Sequence, residues 1–138
     1  MRLRRVSAHY CLDTRDVVRC VPENSEAWHA GKNANRHGIG IELCGSPYQT
    51  RADWLDDLSR PMLAHCARLL ADLSVSHGIP LISRTAPELA ELVPGVTTHA
   101  AVSSAFPADT SHWDPGPGFP LEELLEAARA ALPPITIS

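Results

Sequence analysis

The segment that most restricts the fold is Gly38-Ile39-Gly40-Ile41-Glu42-Leu43-Cys44-Gly45, a nearly unbroken apolar run closed by glycines. It is too short for a stable helix and suits a strand covered on both faces, so a central place in a sheet is expected. Glu42 is the anomaly in that run. A carboxylate buried without a partner is costly or holds its proton to unusually high pH, so some group nearby is expected to use it.

The pattern around this strand is mixed. Val6, Ala8, Tyr10 and Leu12 alternate with Ser7, His9 and Cys11, which predicts a strand over 6–12. Asp13-Thr14-Arg15-Asp16 is turn-forming and 17–21 is the returning strand, ended by Pro22, which has no amide hydrogen for a ladder. The polar stretch 23–36, with Gly31 and an isolated Trp28-His29, predicts a surface loop of the kind that displays functional groups. A short helical or irregular entry is expected over 51–58. Ser59 is placed to cap a helix with Pro61 in its first turn. Met62, Leu63, Cys66, Leu69, Leu70 and Leu73 then recur at helical spacing and form a core-facing stripe that ends at His77-Gly78. An extended segment over 79–82, a short strand over 96–98, an irregular Pro- and Gly-rich stretch over 110–120 and a helix over 121–132 complete the chain. These elements predict an α/β fold, a single mixed β-sheet flanked by helices, forming one domain over 1–138.

Charge and cysteine usage narrow the chemistry. Twelve Lys and Arg stand against sixteen Asp and Glu, and Arg2-Leu3-Arg4-Arg5 is the single basic cluster, so nucleic acid is not an expected partner. No apolar run approaches the ~20 residues that span a bilayer, and no signal peptide is legible, so a cytoplasmic product is expected as encoded. Cys11, Cys20, Cys44 and Cys66 form no Cys-x-x-Cys pair, hence no zinc knuckle, and are expected to be reduced packing residues. Metal chemistry would fall to His and carboxylates. Lys32 is the sole lysine.

Three features far apart in the chain ask for one explanation: Glu42, then Thr98-His99 at the end of a predicted strand, then Ser111-His112-Trp113-Asp114-Pro115-Gly116-Pro117. Taken singly, each has an ordinary reading, as an Arg-paired acid, a solvated histidine and a turn aspartate before proline. Taken together they match the needs of a hydrolytic zinc site. Such a site takes three ligands from His, Asp, Glu or Cys and leaves a position for water. A carboxylate moves the proton, and a cationic or hydrogen-bonding group holds the oxyanion.

Val6-Ser7-Ala8-His9-Tyr10, Ala27-Trp28-His29-Ala30-Gly31, Asn35 with Ile39-Gly40-Ile41-Glu42, His99, and Asp114-Pro115-Gly116-Pro117 occur in the order seen in another set of proteins. Over about 6–132 the chain resembles the zinc-dependent N-acetylmuramoyl-L-alanine amidases, which include phage endolysin amidase domains; the peptidoglycan recognition proteins share the fold. The resemblance implies cleavage of the amide between N-acetylmuramic acid and L-alanine of peptidoglycan by zinc-activated water. It makes His99 and Asp114 zinc ligands and Glu42 the group that positions or deprotonates the water. His112 stands where many members have Lys and would hold the oxyanion. His29, Asn35 and Trp113 would lie on the substrate side. An endolysin would wait in the cytoplasm before acting on the wall.

One departure bears on activity. The family's first zinc ligand, a His, lies on a strand followed by a helix before the Val-Ser-Ala-His segment, whereas here Met1 stands five residues before Val6. The expectation is an N-terminally truncated amidase lacking the first strand and helix, with open sheet edges and an open core. Either the working start lies upstream, or the chain is an inactive phage or prophage remnant, or His9 or His29 completes the site. The alternative function is a noncatalytic muropeptide-binding module.

Overall fold

The computed structural model describes residues 5–135. Strand β1 (Tyr10–Leu12) is the hub of its sheet. It pairs antiparallel with β2 (Val17–Arg19), Tyr10 opposite Arg19 and Leu12 opposite Val17. It pairs parallel with β3 (Ile41–Leu43), Tyr10 opposite Ile41, Cys11 opposite Glu42 and Leu12 opposite Leu43. The order β2-β1-β3 makes a mixed sheet among the described residues. Between β1 and β2 the Asp13 Oδ1 accepts the N–H groups of Arg15 and Asp16, each at 2.7 Å, which shapes the turn from a side chain.

The glycine-bounded run is therefore not central: β1 is, and β3 pairs along one edge only among the described residues. The alternation of a strand assigns the faces. Tyr10, Leu12, Ile41 and Leu43 pack into the helical core, and Cys11 and Glu42 take the other face. The strand expected over 6–12 begins only at Tyr10, because the residues before it pair with loops. Ser7 N–H donates to the Trp28 carbonyl at 3.0 Å, and His9 N–H to the Gly40 carbonyl at 3.0 Å.

Helix α1 (Lys32–His37) lies inside the stretch expected to be loop. It is followed by α2 (Arg51–Trp54), α3 (Arg60–His77), α4 (Ala86–Ala90), α5 (His99–Ala105) and α6 (Leu121–Ala130). In α3 all six stripe residues are buried, Pro61 sits in the first turn, and Gly78 closes the helix in left-handed conformation. Ser59 does not cap by its side chain; its backbone is already helical, and the Asp56 Oδ1 accepts the N–H groups of Leu58 and Ser59 at 3.1 and 2.7 Å instead. Helix α6 presents Leu124, Leu125 and Ala128 to α3, and the Trp54 ring meets Phe119 edge to face at 5.0 Å. The strand expected over 96–98 reduces to one bridge between Ser83 and Val96.

All four cysteines are free thiols. Cys66 packs in the core, where burial pushes its thiol up to about 12. Cys20 and Cys44 are exposed, contrary to the expected packing role. None of the described helices is long and apolar enough to cross a membrane.

Two predictions follow from the packing. Leu125 is 0% exposed between α6 and α3, so Leu125→Ala should lower the unfolding free energy by about 2–5 kcal/mol in a denaturant titration. The Glu23 carboxylate accepts from the Tyr10 hydroxyl and bonds His77 Nε2, and these contacts hold its pKa below the ordinary 4.5. A depressed folded pKa stabilises the native state above the unfolded value and is lost as pH falls through the folded one. Melting temperature should thus drop on acidification through that range, and Glu23→Gln should flatten the drop.

Candidate active site and metal centre

His99 opens helix α5 rather than ending a strand. Thr98 is extended and its hydroxyl accepts the Ala101 N–H at 3.2 Å, satisfying one of the free amides of the first turn. That same turn holds the loop that follows. Ala100 N–H donates to the Asp114 carbonyl at 2.9 Å, and His112 N–H to the Ser103 hydroxyl at 2.9 Å. Gly116 completes the arrangement with φ +89°, and a Cβ there would collide with the backbone carbonyl of Pro47, so the 110–120 loop passes that point only with glycine.

These ties bring together residues that the sequence separates. His99 Nδ1 lies 3.4 Å from Asp114 Oδ2, and His112 Nδ1 lies 3.6 Å from Asp114 Oδ1. The two imidazoles stack with centroids 4.4 Å apart and planes 16° from parallel. One donor atom from each of the three residues falls within 4.8 Å of the others, the one such group of His, Cys, Asp and Glu among the described residues. The separations exceed the ~2.9 Å of an ordinary N–H···O bond. They approach the edge of a zinc tetrahedron, about 3.3 Å for bonds of about 2.0–2.1 Å.

The rest of the environment suits a metal donor. His99 Nε2 bonds the Thr110 hydroxyl at 2.7 Å, which leaves Nδ1 toward Asp114 and fixes the ring. Burial holds the His99 pKa below its usual value and outweighs the opposing pull of Asp114, so the imidazole is neutral at neutral pH and has a lone pair to give.

Glu42 is exposed, not buried as expected, because the pleat turns it away from Ile41 and Leu43. The protein around it still thins its hydration, and this, together with the Asp114 charge, raises its pKa. Glu42, His29, His99, His112 and Asp114 line one cleft of about 1360 Å³. The cleft also reaches Leu70, Leu73 and Leu124.

His29 stands against Gly40 so closely that a Cβ on Gly40 would overlap its ring. Its Nε2 is buried with no partner, and burial lowers its pKa. Asn35 acts behind it, its Oδ1 accepting the N–H groups of His29 and Ala30, both at 2.8 Å. Trp113 is half-exposed and meets the exposed Tyr48 edge to face at 5.0 Å. His9 is not a ligand: its Nδ1 accepts the Gly40 N–H at 2.9 Å, its Nε2 bonds the Ser25 carbonyl at 2.8 Å, and it is 1% exposed. Sequence reasoning missed Thr110 and Tyr48; a hydroxyl and a lone aromatic in irregular chain carry no spacing signal.

His9→Leu should destabilise the fold by about 2–4 kcal/mol in a denaturant titration, because it leaves a buried amide and a carbonyl unpaired.

Comparison with known proteins adds three findings. A family model described as N-acetylmuramoyl-L-alanine amidase matches residues 1–117. Two curated relatives are the N-acetylmuramoyl-L-alanine amidases CwlA of Bacillus sp and of Bacillus subtilis (strain 168), 41% and 39% identical over 44 residues. The match covers 29% of this chain in each case, and 18% and 16% of those proteins, so the chain spans under a fifth of their length. In fold, the chain is similar to a crystal structure of Staphylococcus aureus hydrolase AmiA in complex with its ligand. The TM-score is 0.69 at 18% identity, over 94% of this chain and 63% of that one.

Proposed function

The chain belongs to the N-acetylmuramoyl-L-alanine amidase family, and on that premise we propose that it hydrolyses the amide between N-acetylmuramic acid and L-alanine of the peptidoglycan stem peptide. The observation that carries the reading is the approach of His99 Nδ1 to Asp114 at the mouth of a cleft that Glu42 also lines. Imidazole and carboxylate are the donors zinc takes in hydrolytic sites, and His99 and Asp114 are proposed to hold it. When bound, zinc supplies a Lewis acid that makes water nucleophilic near neutral pH and polarises the carbonyl under attack.

The protein's own groups do the remainder. Glu42 accepts the proton of the attacking water on its carboxylate and returns it to the leaving amine of L-alanine, so that the amine departs neutral. Its raised pKa favours the return, since a weakly basic carboxylate would hold a proton too briefly. Thr110 orients the His99 ring so that Nδ1 faces Asp114. His112, addressing the other oxygen of Asp114, stands within reach of the same reacting centre. His29 lines the same cleft on the substrate side, and Asn35 holds the backbone that carries it. Trp113 with Tyr48 presents an apolar surface on which a sugar ring can rest.

A second reading, a module that binds muropeptides without cleaving them, draws on the half-exposed Trp28 and Trp113. One experiment separates the two. Zinc-loaded protein incubated with purified peptidoglycan should expose new L-alanine amino termini. Glu42→Gln should lower that rate by about 10²–10⁴-fold with zinc content unchanged. Asp114→Ala should weaken zinc binding itself. Protein that is zinc-loaded and retained on peptidoglycan yet releases no stem peptide would establish the binder instead.

A further inference from the structure

The geometry points to Cys11 and Cys20 as a redox-active dithiol, a modification site at which the two thiols close to an intramolecular disulfide that fastens β1 to the end of β2. The pair involves neither the histidines nor Asp114, and its assignment stands with or without the amidase reading.

The β1–β2 register puts the two side chains on one face. Cys11 is opposite Val18, and Cys20 follows Val18 by two residues, so the cysteines are diagonal neighbours across an antiparallel pair. Their sulfurs are 3.7 Å apart, in van der Waals contact. A disulfide bond is about 2.0 Å long, so about 1.7 Å remains to be closed. The slack for that movement lies at Cys20. Its N–H and that of Val21 both donate to the His9 carbonyl, at 2.8 and 3.4 Å, the mark of a bulge where the ladder ends. The residues of β2 are exposed and so is Cys20, which can therefore turn without displacing core side chains. The other contact of its thiol, to the Val18 carbonyl at 3.8 Å, is weak to give up.

The two thiols stand in unlike surroundings, which sets the order of events. Cys20 is exposed and meets an oxidant first. Cys11 is half-buried, and burial, then the Cys20 thiol and the nearby Glu42 and Cys44, push its pKa up to about 11, so it waits as a thiol. The Cys20 thiol loses its proton to water, and its sulfur attacks one sulfur of a low-molecular-weight disulfide such as oxidised glutathione. A mixed disulfide forms and one glutathione thiolate leaves. Cys11 then loses its proton, and its sulfur attacks Cys20 Sγ and expels the second glutathione thiolate. Two protein thiols are oxidised, and one glutathione disulfide is reduced to two thiols. Reducing surroundings keep the pair open, and oxidising ones close it. Closure ties the hub strand, at the residue opposite Glu42, to an exposed strand.

The test equilibrates the intact chain with defined ratios of reduced and oxidised glutathione, folded and in concentrated urea, then alkylates it and digests it with trypsin without reduction. Cleavage after Arg15 and Arg19 puts the two cysteines in separate peptides, 6–15 and 20–32, so their linkage is read directly by mass. In the monomer, 6–15 joined to 20–32 should be the main oxidised product. Its closure constant should be at least about 10-fold larger in the folded chain than in urea, because only the fold holds the sulfurs in contact. Cys44→Ser should leave both results unchanged, and Cys20→Ser, at an exposed position, should leave Cys11 as a thiol. Closure no more favourable in the folded chain than in urea would overturn the inference. So would a product dominated by peptide 37–51, which carries Cys44, or by glutathione retained on Cys20.

Discussion

The parallel register between β1 and β3 is the constraint on which the rest of the structure depends. Setting Leu12 opposite Leu43 and Tyr10 opposite Ile41 puts four apolar side chains against α3 and α6. The same register leaves Cys11 and Glu42 on the opposite face, since alternate residues of a strand point opposite ways. A slip of one residue would place the carboxylate in the core and remove the one acid that the cleft presents from the sheet. His9 helps hold the register, because its buried ring joins Gly40, next to β3, to Ser25.

The second half of the site is built without the sheet. Helix α5 and the 110–120 loop are bound to each other by the Ala100 amide and the Ser103 hydroxyl, and both contacts fall beside a candidate ligand. Position is therefore set by backbone bonds, while the side chains that face the cleft keep unmade interactions. Asp114 has two imidazoles at more than hydrogen-bond distance, His29 has a buried nitrogen without a partner, and Glu42 feels a like charge. Concentrated unmet polarity of this kind costs stability, and it is what the proposed function draws on.

Legibility followed the strength of local periodicity. The stripe from Met62 to Leu73 announced α3 because six apolar residues at helical spacing have few alternative explanations. Helices α1, α4 and α5 were silent, each too short to show a period, although Thr85 and Glu88 form a capping box that spacing could have revealed. Ser59 misled for a related reason: a good capping residue was present, but Asp56 took the amides and let the helical backbone start earlier. The apolar run around Glu42 suggested burial on both faces, and only the pairing partner decides whether a strand is covered once or twice.

By itself the sequence determined the mixed α/β class, the core helix, the motif order that marks the family, and the identity of Glu42, His99 and Asp114 as the residues to watch. Those are properties of residue type and local spacing, which the chain carries wherever it goes. Tertiary structure alone decided that Glu42 is exposed, that His99 heads a helix, that Thr110 fixes its ring, and that His112 stands with His99 and Asp114. Each of these depends on contacts between segments distant along the chain, where close approach comes from packing and backbone hydrogen bonds that no local pattern encodes.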